Sequence, residues 1–229
     1  MKYDILLCDL DDTLFDFHKG EAIALESTFN HFGIPVTPEN LAAYHTANGE
    51  QWKKLERGKT TSEKLRVDRF SGFLALAGLE GDAQALCDDY MERLGQQCWP
   101  LPFSTELIRR ASEKMPVYLV TNGIARIQRD RLSRSEIEPY ITGVIISEEI
   151  GASKPNPKMI YEALAQAAAD DLSRAVLLGD SQTSDIAAAN NAGMDACWYN
   201  ASGKAAPEGC VIKHIISDIR DAARVALAE

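Results

Sequence analysis

The chain has 229 residues, of which 45% are hydrophobic and 25% are charged, and its formal net charge is −10 at pH 7. This length can bury a large core, as one domain or as a domain with a sizeable insertion. The negative charge argues against a general binder of nucleic-acid polymers or anionic membranes, because both need basic patches. It is compatible with a small phosphorylated substrate, whose charge one metal ion and one lysine can offset.

The cysteine pattern indicates reduced thiols. The five cysteines are odd in number and widely spaced, with no Cys-x-x-Cys pair, which favours a cytoplasmic protein over a disulfide framework or a zinc site. The N-terminus lacks an apolar core of the signal-peptide kind, and no segment approaches the roughly 18 apolar residues of a membrane span. We therefore expect a soluble, cytoplasmic protein with no membrane partner, present as a monomer or a small homo-oligomer.

Short apolar runs typical of buried strands recur along the chain, and helical patterns separate the later ones. The predicted strands lie at residues 3–9, 117–121, 141–147, 175–180, 196–199 and 211–216. The predicted helices between them lie at residues 104–114, 156–169 and 183–192. This alternation predicts an α/β fold with a Rossmann-like doubly wound parallel sheet and helices on both of its faces.

A block from residue 18 to about residue 98 contains no convincing strand. It is predicted to form four helices, broken at Gly33-Ile34-Pro35, at Arg57-Gly58-Lys59 and from Gly78 to Gly81. A helical block after the first strand of an α/β domain is most simply an inserted cap. We therefore predict a catalytic core at 1–16 and 99–229 and an all-helical cap domain at 17–98, which begins close enough to the first strand to lie over its carboxyl end.

Two carboxylates follow the first predicted strand. Asp9 and Asp11 are two residues apart, so in an extended chain their side chains share a face, while Asp12 points away. At about 4 Å and an effective dielectric near 20, two such charges repel by on the order of 4 kcal/mol unless a cation or a proton intervenes. Ligands bind at the carboxyl edge of parallel sheets. The pair therefore predicts a metal-assisted carboxylate site.

Two later segments contain groups that could bind a phosphate. Thr121 ends the second predicted strand and is followed by Asn122 and Gly123, so a hydroxyl and turn amides can bind phosphate oxygens there. The alternative is a helix cap or simple turn chemistry. Lys154 lies between a glycine turn and two prolines, which restrains a cation that could face a phosphoryl group. The alternative is a solvated surface lysine, the commoner fate of this residue type.

A further carboxylate pair follows the fourth predicted strand. Asp180 ends that strand, and Asp185 falls in the first turn of the next predicted helix. Both can therefore reach one hard cation such as Mg²⁺, which prefers oxygen ligands. For Asp185 a role at the helix dipole or in capping is the alternative.

Taken in this order, the four elements resemble those of the haloacid dehalogenase superfamily in its phosphatase form, and the resemblance covers the whole chain. It implies that Asp9 is the nucleophile that forms an aspartyl-phosphate. It implies that Asp11 is the acid that protonates the leaving oxygen and then activates water, with its main-chain carbonyl as a ligand to Mg²⁺. Dehalogenases of this fold lack the second aspartate, so Asp11 favours phosphate esters over carbon–halogen bonds.

The same resemblance assigns roles to the later groups. Thr121 and the following backbone amides, beginning at Asn122, are similar to the groups that orient the phosphate. Lys154 resembles the cation that steadies the nucleophile and the transferring phosphoryl group. Asp180 resembles a direct ligand to Mg²⁺, and Asp185 a direct or water-mediated ligand. Such placement and charge neutralisation are the main demands of phosphoryl transfer.

The predicted cap suggests a substrate. Segments around Trp52 and Arg69 resemble the cap of the bacterial house-cleaning nucleotidases, which hydrolyse pyrimidine nucleoside 5′-monophosphates. That resemblance implies a nucleoside monophosphate as the small-molecule partner, with Trp52 stacking on the base and Arg66 or Arg69 meeting the nucleotide. In the alternative, Trp52 packs in the core with Leu55, and the arginines pair along their own helix.

Two other functions stay open at this point. A sugar-phosphate or phosphoglycolate-type phosphatase would use the same scaffold. A signalling receiver, which works as a phospho-aspartate switch, also combines an early acidic pair with a threonine and a Lys-Pro. Receivers are about half this length, however, and lack both the long helical block and the later aspartate pair.

Overall fold

The structure, a computed structural model, describes residues 2–206 and 208–227. The chain divides into two compact units, Met1–Phe17 with Cys98–Glu229, here called the core unit, and His18–Gln97, the helical unit. No helix among the described residues is long and apolar enough to cross a membrane.

The core unit contains strands and helices in alternation. Its strands are β1 (Ile5–Cys8), β2 (Val117–Thr121), β3 (Gly143–Ile146), β4 (Ala175–Gly179), β5 (Asp195–Tyr199) and β6 (His214–Ile216). Its helices are α5 (Ser104–Ser112), α6 (Ala125–Ser133), α7 (Ser147–Ile150), α8 (Lys158–Gln166), α9 (Ala187–Ala192) and α10 (Arg220–Leu227). A π-helical turn, Gln182–Ile186, precedes α9.

The strands of the core unit form one parallel sheet in the order β3-β2-β1-β4-β5-β6. Strand β1 lies in the middle, with Leu6 opposite both Val117 of β2 and Val176 of β4. The chain order reverses between β1 and β4, and in doubly wound sheets this is where the carboxyl ends of the strands open a crevice. The predicted Rossmann-like fold is therefore confirmed, and the carboxyl ends of β1 and β4 lie side by side.

Alternating side chains of the strands face two hydrophobic layers. Leu6 and Cys8 pack into one layer with residues of α5 and α10, and Ile5 and Leu7 pack into the other with residues of α8 and α9. Every residue of β1 is buried, as a central parallel strand covered by helices on both faces requires. The Cys8 thiol is fully buried and packs as an apolar group.

Several predicted bounds are corrected by the structure. Strand β6 has only three residues, because residues 211–213 of the predicted run lie outside the sheet. The helix predicted at 104–114 begins at Ser104 but ends at Ser112, and Phe103 before it has a φ of 67° and makes no side-chain cap bond. The helix predicted at 183–192 is split into the π-helical turn and α9. Helices α6 and α10 were not expected from the apolar pattern.

The helical unit consists of four helices, as expected. They are α1 (Phe17–His31), whose first residue belongs to the core unit, α2 (Pro38–Glu56), α3 (Ser62–Ala77) and α4 (Ala83–Gly95). Helices α2, α3 and α4 begin at side-chain caps, in which Thr37, Thr61 and Asp82 accept hydrogen bonds from backbone amides of the first turn. Helix α3 is followed by the C-cap residue Gly78, whose φ of 64° favours glycine.

Aromatic side chains fill the interior of the helical unit. Phe29 and Phe73 stack with ring centroids 4.8 Å apart, and Phe70 lies 5.4 Å from both Tyr44 and Tyr90. All five rings are fully buried. Each such ring contributes a large buried apolar area to the interior of this unit.

Candidate active site

The carboxyl ends of β1, β2 and β4 bring three polar side chains to one edge of the sheet. Asp9 follows β1, Thr121 ends β2 and Asp180 follows β4. The Asp9 amide donates to the carbonyl of Leu178 at 2.9 Å, which extends the β1–β4 ladder to the site. The Asp180 amide donates to Oγ1 of Thr13 at 3.1 Å, which ties the loop after β1 to the loop after β4.

Three carboxylates converge at this edge. Asp9, Asp180 and Asp185 each offer an oxygen, and these atoms lie within 4.8 Å of one another. Asp185 is fully buried on the π-helical turn, where its Oδ2 accepts from the Ser181 amide at 3.0 Å. A Cβ atom at Gly179 would lie 2.4 Å from the Asp185 carboxyl carbon, so the absence of a side chain there makes room for this carboxylate.

The chemistry of this donor set fits a hard divalent cation. All three groups are carboxylates, and oxygen donors in small number suit Mg²⁺, which keeps several waters. Burial and the nearby Asp185 and Asp12 raise the pKa of Asp180 to about 6, although the Lys154 charge acts to lower it. A cation at this position would offset that repulsion. The side chain of Asp11 is outside this cluster, so its predicted share in metal binding rests on the main-chain carbonyl.

A buried lysine joins two of the carboxylates. Nζ of Lys154 donates at 2.6 Å to Oδ1 of Asp9, to Oδ1 of Asp185 and to the Val120 carbonyl. Its side chain is 1% exposed, so the surface-lysine alternative is wrong. Burial opposes the ammonium charge, but Asp185 and Asp9 outweigh it and raise the pKa of Lys154 above its ordinary value. For Asp9, burial and the nearby carboxylates raise the pKa, whereas Lys154 acts to lower it.

Asp11 is held by helix α6. Gln128 donates from Nε2 to Oδ2 of Asp11 at 2.8 Å, and Arg131 donates from Nη1 to Oδ1 of the same carboxyl group at 2.5 Å. Gln128 and Arg131 were not singled out from the sequence, although both are buried here. The available signal was their spacing of three residues, which places them on one face of a helix that begins just after Thr121-Asn122-Gly123.

The loop after β2 contains the groups that are predicted to bind phosphate. Oγ1 of Thr121 accepts from the Gly123 amide at 3.1 Å and from Nε2 of Gln128 at 2.8 Å. The Asn122 side chain is committed to the lysine loop, since its Oδ1 accepts from the Lys154 amide at 2.7 Å and its Nδ2 donates to the Lys154 carbonyl at 2.9 Å. Asn122 therefore positions Lys154, and its predicted phosphate contact would come from its backbone.

The two predicted substrate residues lie in the helical unit. Trp52 is half-buried on α2. Arg69 is 2% exposed, with its guanidinium 4.6 Å from the ring centroid of Tyr90 and its Nε donating to the Arg66 carbonyl at 3.2 Å. Arg69 thus packs among aromatic rings of its own unit, and both substrate roles stay predictions.

A tryptophan of the core unit lies behind the carboxylates. Trp198 on β5 is 1% exposed, and its indole Nε1 donates to the main-chain carbonyl of Asp180 at 2.9 Å. This bond fixes the backbone at the point where β4 ends and the candidate metal ligand begins.

Comparison with known proteins identifies the family. Residues 6–199 match the model of the haloacid dehalogenase-like hydrolases. The chain belongs to this family of hydrolases.

Several relatives share most of the chain. Pyrimidine 5′-nucleotidase YjjG of Escherichia coli is 31% identical over 221 residues, covering 96% of each chain. Pyrimidine 5′-nucleotidase PynA of Streptococcus pneumoniae is 36% identical over 202 residues, covering 87% of this chain and 85% of the relative. The crystal structure of the HAD hydrolase YfnB of Bacillus subtilis bound to magnesium superposes with a TM-score of 0.91 at 30% identity, covering 99% of this chain and 100% of that one. The predictions of an enzyme of the phosphatase class and of a nucleotidase resemblance are confirmed.

Proposed function

We propose that this chain is a Mg²⁺-dependent 5′-nucleotidase that hydrolyses pyrimidine nucleoside monophosphates through an aspartyl-phosphate on Asp9. The observation that carries the chemistry is the buried ammonium of Lys154, 2.6 Å from both Asp9 and Asp185, beside a third carboxylate at the carboxyl edge of the sheet. The substrate class is supported by two relatives named pyrimidine 5′-nucleotidases that match most of the chain.

The metal would be held by Asp9, Asp180 and Asp185, with the main-chain carbonyl of Asp11 as a further ligand implied by the family resemblance. When bound, Mg²⁺ supplies positive charge to the phosphoryl oxygens and orients them. Lys154 adds a fixed positive charge beside Asp9 and Asp185. We propose that the Thr121 hydroxyl and the backbone amides after it bind the remaining phosphate oxygens.

The first half-reaction transfers the phosphoryl group to the protein. A carboxylate oxygen of Asp9 attacks phosphorus, the bond between phosphorus and the ester oxygen breaks, and that oxygen takes the proton of the Asp11 carboxyl group. The products are the nucleoside and an aspartyl-phosphate at Asp9. A covalent intermediate divides one difficult hydrolysis into two easier steps.

The second half-reaction restores the enzyme. Asp11, now ionised, accepts a proton from a water molecule whose oxygen attacks phosphorus, and the bond between phosphorus and the Asp9 oxygen breaks. Inorganic phosphate leaves, Asp9 returns to the carboxylate and Asp11 is protonated again. One residue thus acts first as acid and then as base, which requires its carboxyl group to stay in one place.

We propose that the helical residues 17–98 act as the cap that selects the substrate, with Trp52 and Arg69 as the candidate contacts. Trp52 is the better candidate, because it is half-buried on α2, whereas Arg69 is committed to the aromatic interior. Stacking of a base on an indole is worth roughly 1–3 kcal/mol.

The test is phosphate release from a panel of dUMP, dTMP, UMP, purine monophosphates and sugar phosphates, with Mg²⁺ and with EDTA. We expect Mg²⁺-dependent release that favours the pyrimidine monophosphates. Release mainly from sugar phosphates would keep the chemistry and overturn the substrate class. No release from any ester, together with a stable phospho-Asp9, would overturn the enzyme in favour of a phosphorylation switch.

A further inference from the structure

We propose that Gln128 and Arg131 are positioning residues for proton transfer, which together fix the carboxyl group of Asp11 and tie it to the phosphate-binding hydroxyl of Thr121. This inference rests on the proposed function, in which Asp11 delivers a proton to the leaving oxygen. Both residues lie on one helix, α6, which begins just after Thr121-Asn122-Gly123, the segment proposed to bind phosphate.

Each oxygen of Asp11 accepts one hydrogen bond from this pair, and a second lone pair on each oxygen is left for the proton that Asp11 delivers. Nε2 of Gln128 lies 2.8 Å from Oδ2, and Nη1 of Arg131 lies 2.5 Å from Oδ1. Arg131 also donates to Oε1 of Gln128 at 3.0 Å, so the two side chains orient each other. A carboxyl group gripped at both oxygens cannot rotate without breaking two hydrogen bonds, one of them charge-assisted.

The burial of the pair bears on whether packing alone explains it. Gln128 is 2% exposed and the Arg131 side chain 1% exposed. The guanidinium lies 5.2 Å from the ring centroid of Phe15 and 5.7 Å from that of Phe17. A buried guanidinium is costly unless it is paired, and well-packed apolar residues usually serve stability equally well. A positioning role gives a reason to keep the charge there.

The same amide determines what the Thr121 hydroxyl can do. Oγ1 of Thr121 accepts from Nε2 of Gln128 and from the Gly123 amide, which uses both of its lone pairs. Its own hydrogen is then left to donate, and a phosphate oxygen is a strong acceptor. A Cβ atom at Gly123 would lie 2.3 Å from Nε2 of Gln128, so the backbone is shaped to admit this amide.

One nitrogen atom therefore contacts both the proton-transfer group and the phosphate-orienting group. Loss of the Gln128 amide should lower kcat/KM most for those esters whose leaving oxygen must be protonated. Esters that release a stable anion need no proton, so their kcat/KM should fall less. A purely structural role for Gln128 would lower both activities by the same factor.

The experiment compares kcat/KM for dUMP with kcat/KM for 2,4-dinitrophenyl phosphate in Gln128→Met. This parameter reports phosphoryl transfer to Asp9, so the later hydrolysis does not enter. We expect the ratio of the two values to fall by about 10- to 100-fold, which is part of the roughly 10²- to 10⁴-fold that general acid catalysis contributes. Gln166→Met, which changes an exposed glutamine on α8, should leave the ratio unchanged. An equal loss on both esters in Gln128→Met would overturn the inference.

Arg131→Lys provides a second variant that keeps the charge but loses the planar fork, with the exposed Arg126→Lys on the same helix as its control. We expect the ratio to fall in Arg131→Lys and to stay constant in Arg126→Lys. Asp11→Asn, which removes the acid itself, gives the largest fall of this ratio that the loss of proton transfer can cause. If Asp11→Asn lowers the ratio and neither α6 variant does, the positioning role is overturned and the proposed function stands. If Asp11→Asn leaves the ratio unchanged, the acid role in the proposed function fails as well.

Discussion

Nζ of Lys154 lies 2.6 Å from Oδ1 of Asp9, although 145 positions separate the two residues in the chain. The contact joins the loop after α7 to the end of the central strand. Because Lys154 offers one positive charge against the three carboxylates of the cluster, the site keeps an excess of negative charge. A divalent cation would offset that excess, which would otherwise repel the anionic phosphoryl group.

The nucleophile is tested by Asp9→Asn. We expect turnover of every ester to be abolished, because an amide oxygen cannot form the aspartyl-phosphate, while the fold is kept. The measurement is phosphate release together with circular dichroism. Asp12→Asn is the matched control, since Asp12 has a φ of 57°, which asparagine tolerates, and its Oδ1 accepts from the Phe17 amide. Activity of Asp9→Asn within tenfold of wild type would remove Asp9 as the nucleophile.

Removing the buried ammonium should cost both stability and activity. Lys154→Met leaves two buried carboxylates without their shared partner, which we expect to destabilise the fold by about 3–5 kcal/mol. Added Mg²⁺ should raise the Tm of this variant more than that of wild type, because a cation relieves the added repulsion. Thermal unfolding with and without Mg²⁺ measures both effects. The exposed Lys158→Met should behave as wild type does, and an equal Mg²⁺ shift in Lys154→Met and wild type would contradict this account.

The substrate role of the helical unit is tested by Trp52→Ala. We expect KM to rise more for nucleotides than for p-nitrophenyl phosphate, which has no base to stack. Steady-state kinetics on both esters give the comparison. Leu55→Ala, at a half-buried position three residues further along α2, is the control for packing. Equal effects of Trp52→Ala on both esters would place Trp52 among the structural residues.

An acidic side chain of the helical unit should make stability depend on pH. Asp89 accepts from His31 at 2.6 Å and from Arg93 at 2.6 Å; burial opposes its charge, yet these bonds lower its pKa to about 2. The stabilisation is therefore present above pH 4 and is lost as the pH falls towards 2.

We expect Asp89→Asn to lower the free energy of unfolding at neutral pH by up to about 1 kcal/mol, as for a partly exposed pair. The difference from wild type should shrink as the pH falls from 4 to 2. Urea unfolding at several pH values measures this. The exposed neighbour Asp88→Asn should show a smaller effect, and a difference between Asp89→Asn and wild type that grows on acidification would refute the argument.

The groups after the sheet strands could be found in the sequence because each follows an apolar run that forms a buried strand. Asp9, Thr121 and Asp180 end such runs, and parallel strands bring their carboxyl ends to one edge. The position of Lys154 needed more than periodicity. The prolines of its loop predicted a restrained lysine, but only the structure shows the three hydrogen bonds that hold its ammonium group.

Helix α6 shows where sequence reasoning stops. The residues 125–133 carry polar side chains on the buried face, where Gln128 and Arg131 take positions that apolar residues occupy in an ordinary amphipathic helix. The helical unit also contains a buried polar group that the sequence pattern does not indicate. Glu21 is 5% exposed and accepts from Asn48 at 3.3 Å and Tyr90 at 3.5 Å. Partners so distant in the chain leave no local pattern to read.

The bond from the Trp198 indole to the Asp180 carbonyl gives the protein an intrinsic optical probe. Indole emission responds to the electric field across the ring, and this ring is sealed from solvent directly behind the carboxylates. Loading of the site with a cation would change that field, so the emission of Trp198 would follow occupancy without an attached label. Trp52 and Trp99 are more exposed, so a quencher in solution would reduce their emission first and leave that of Trp198.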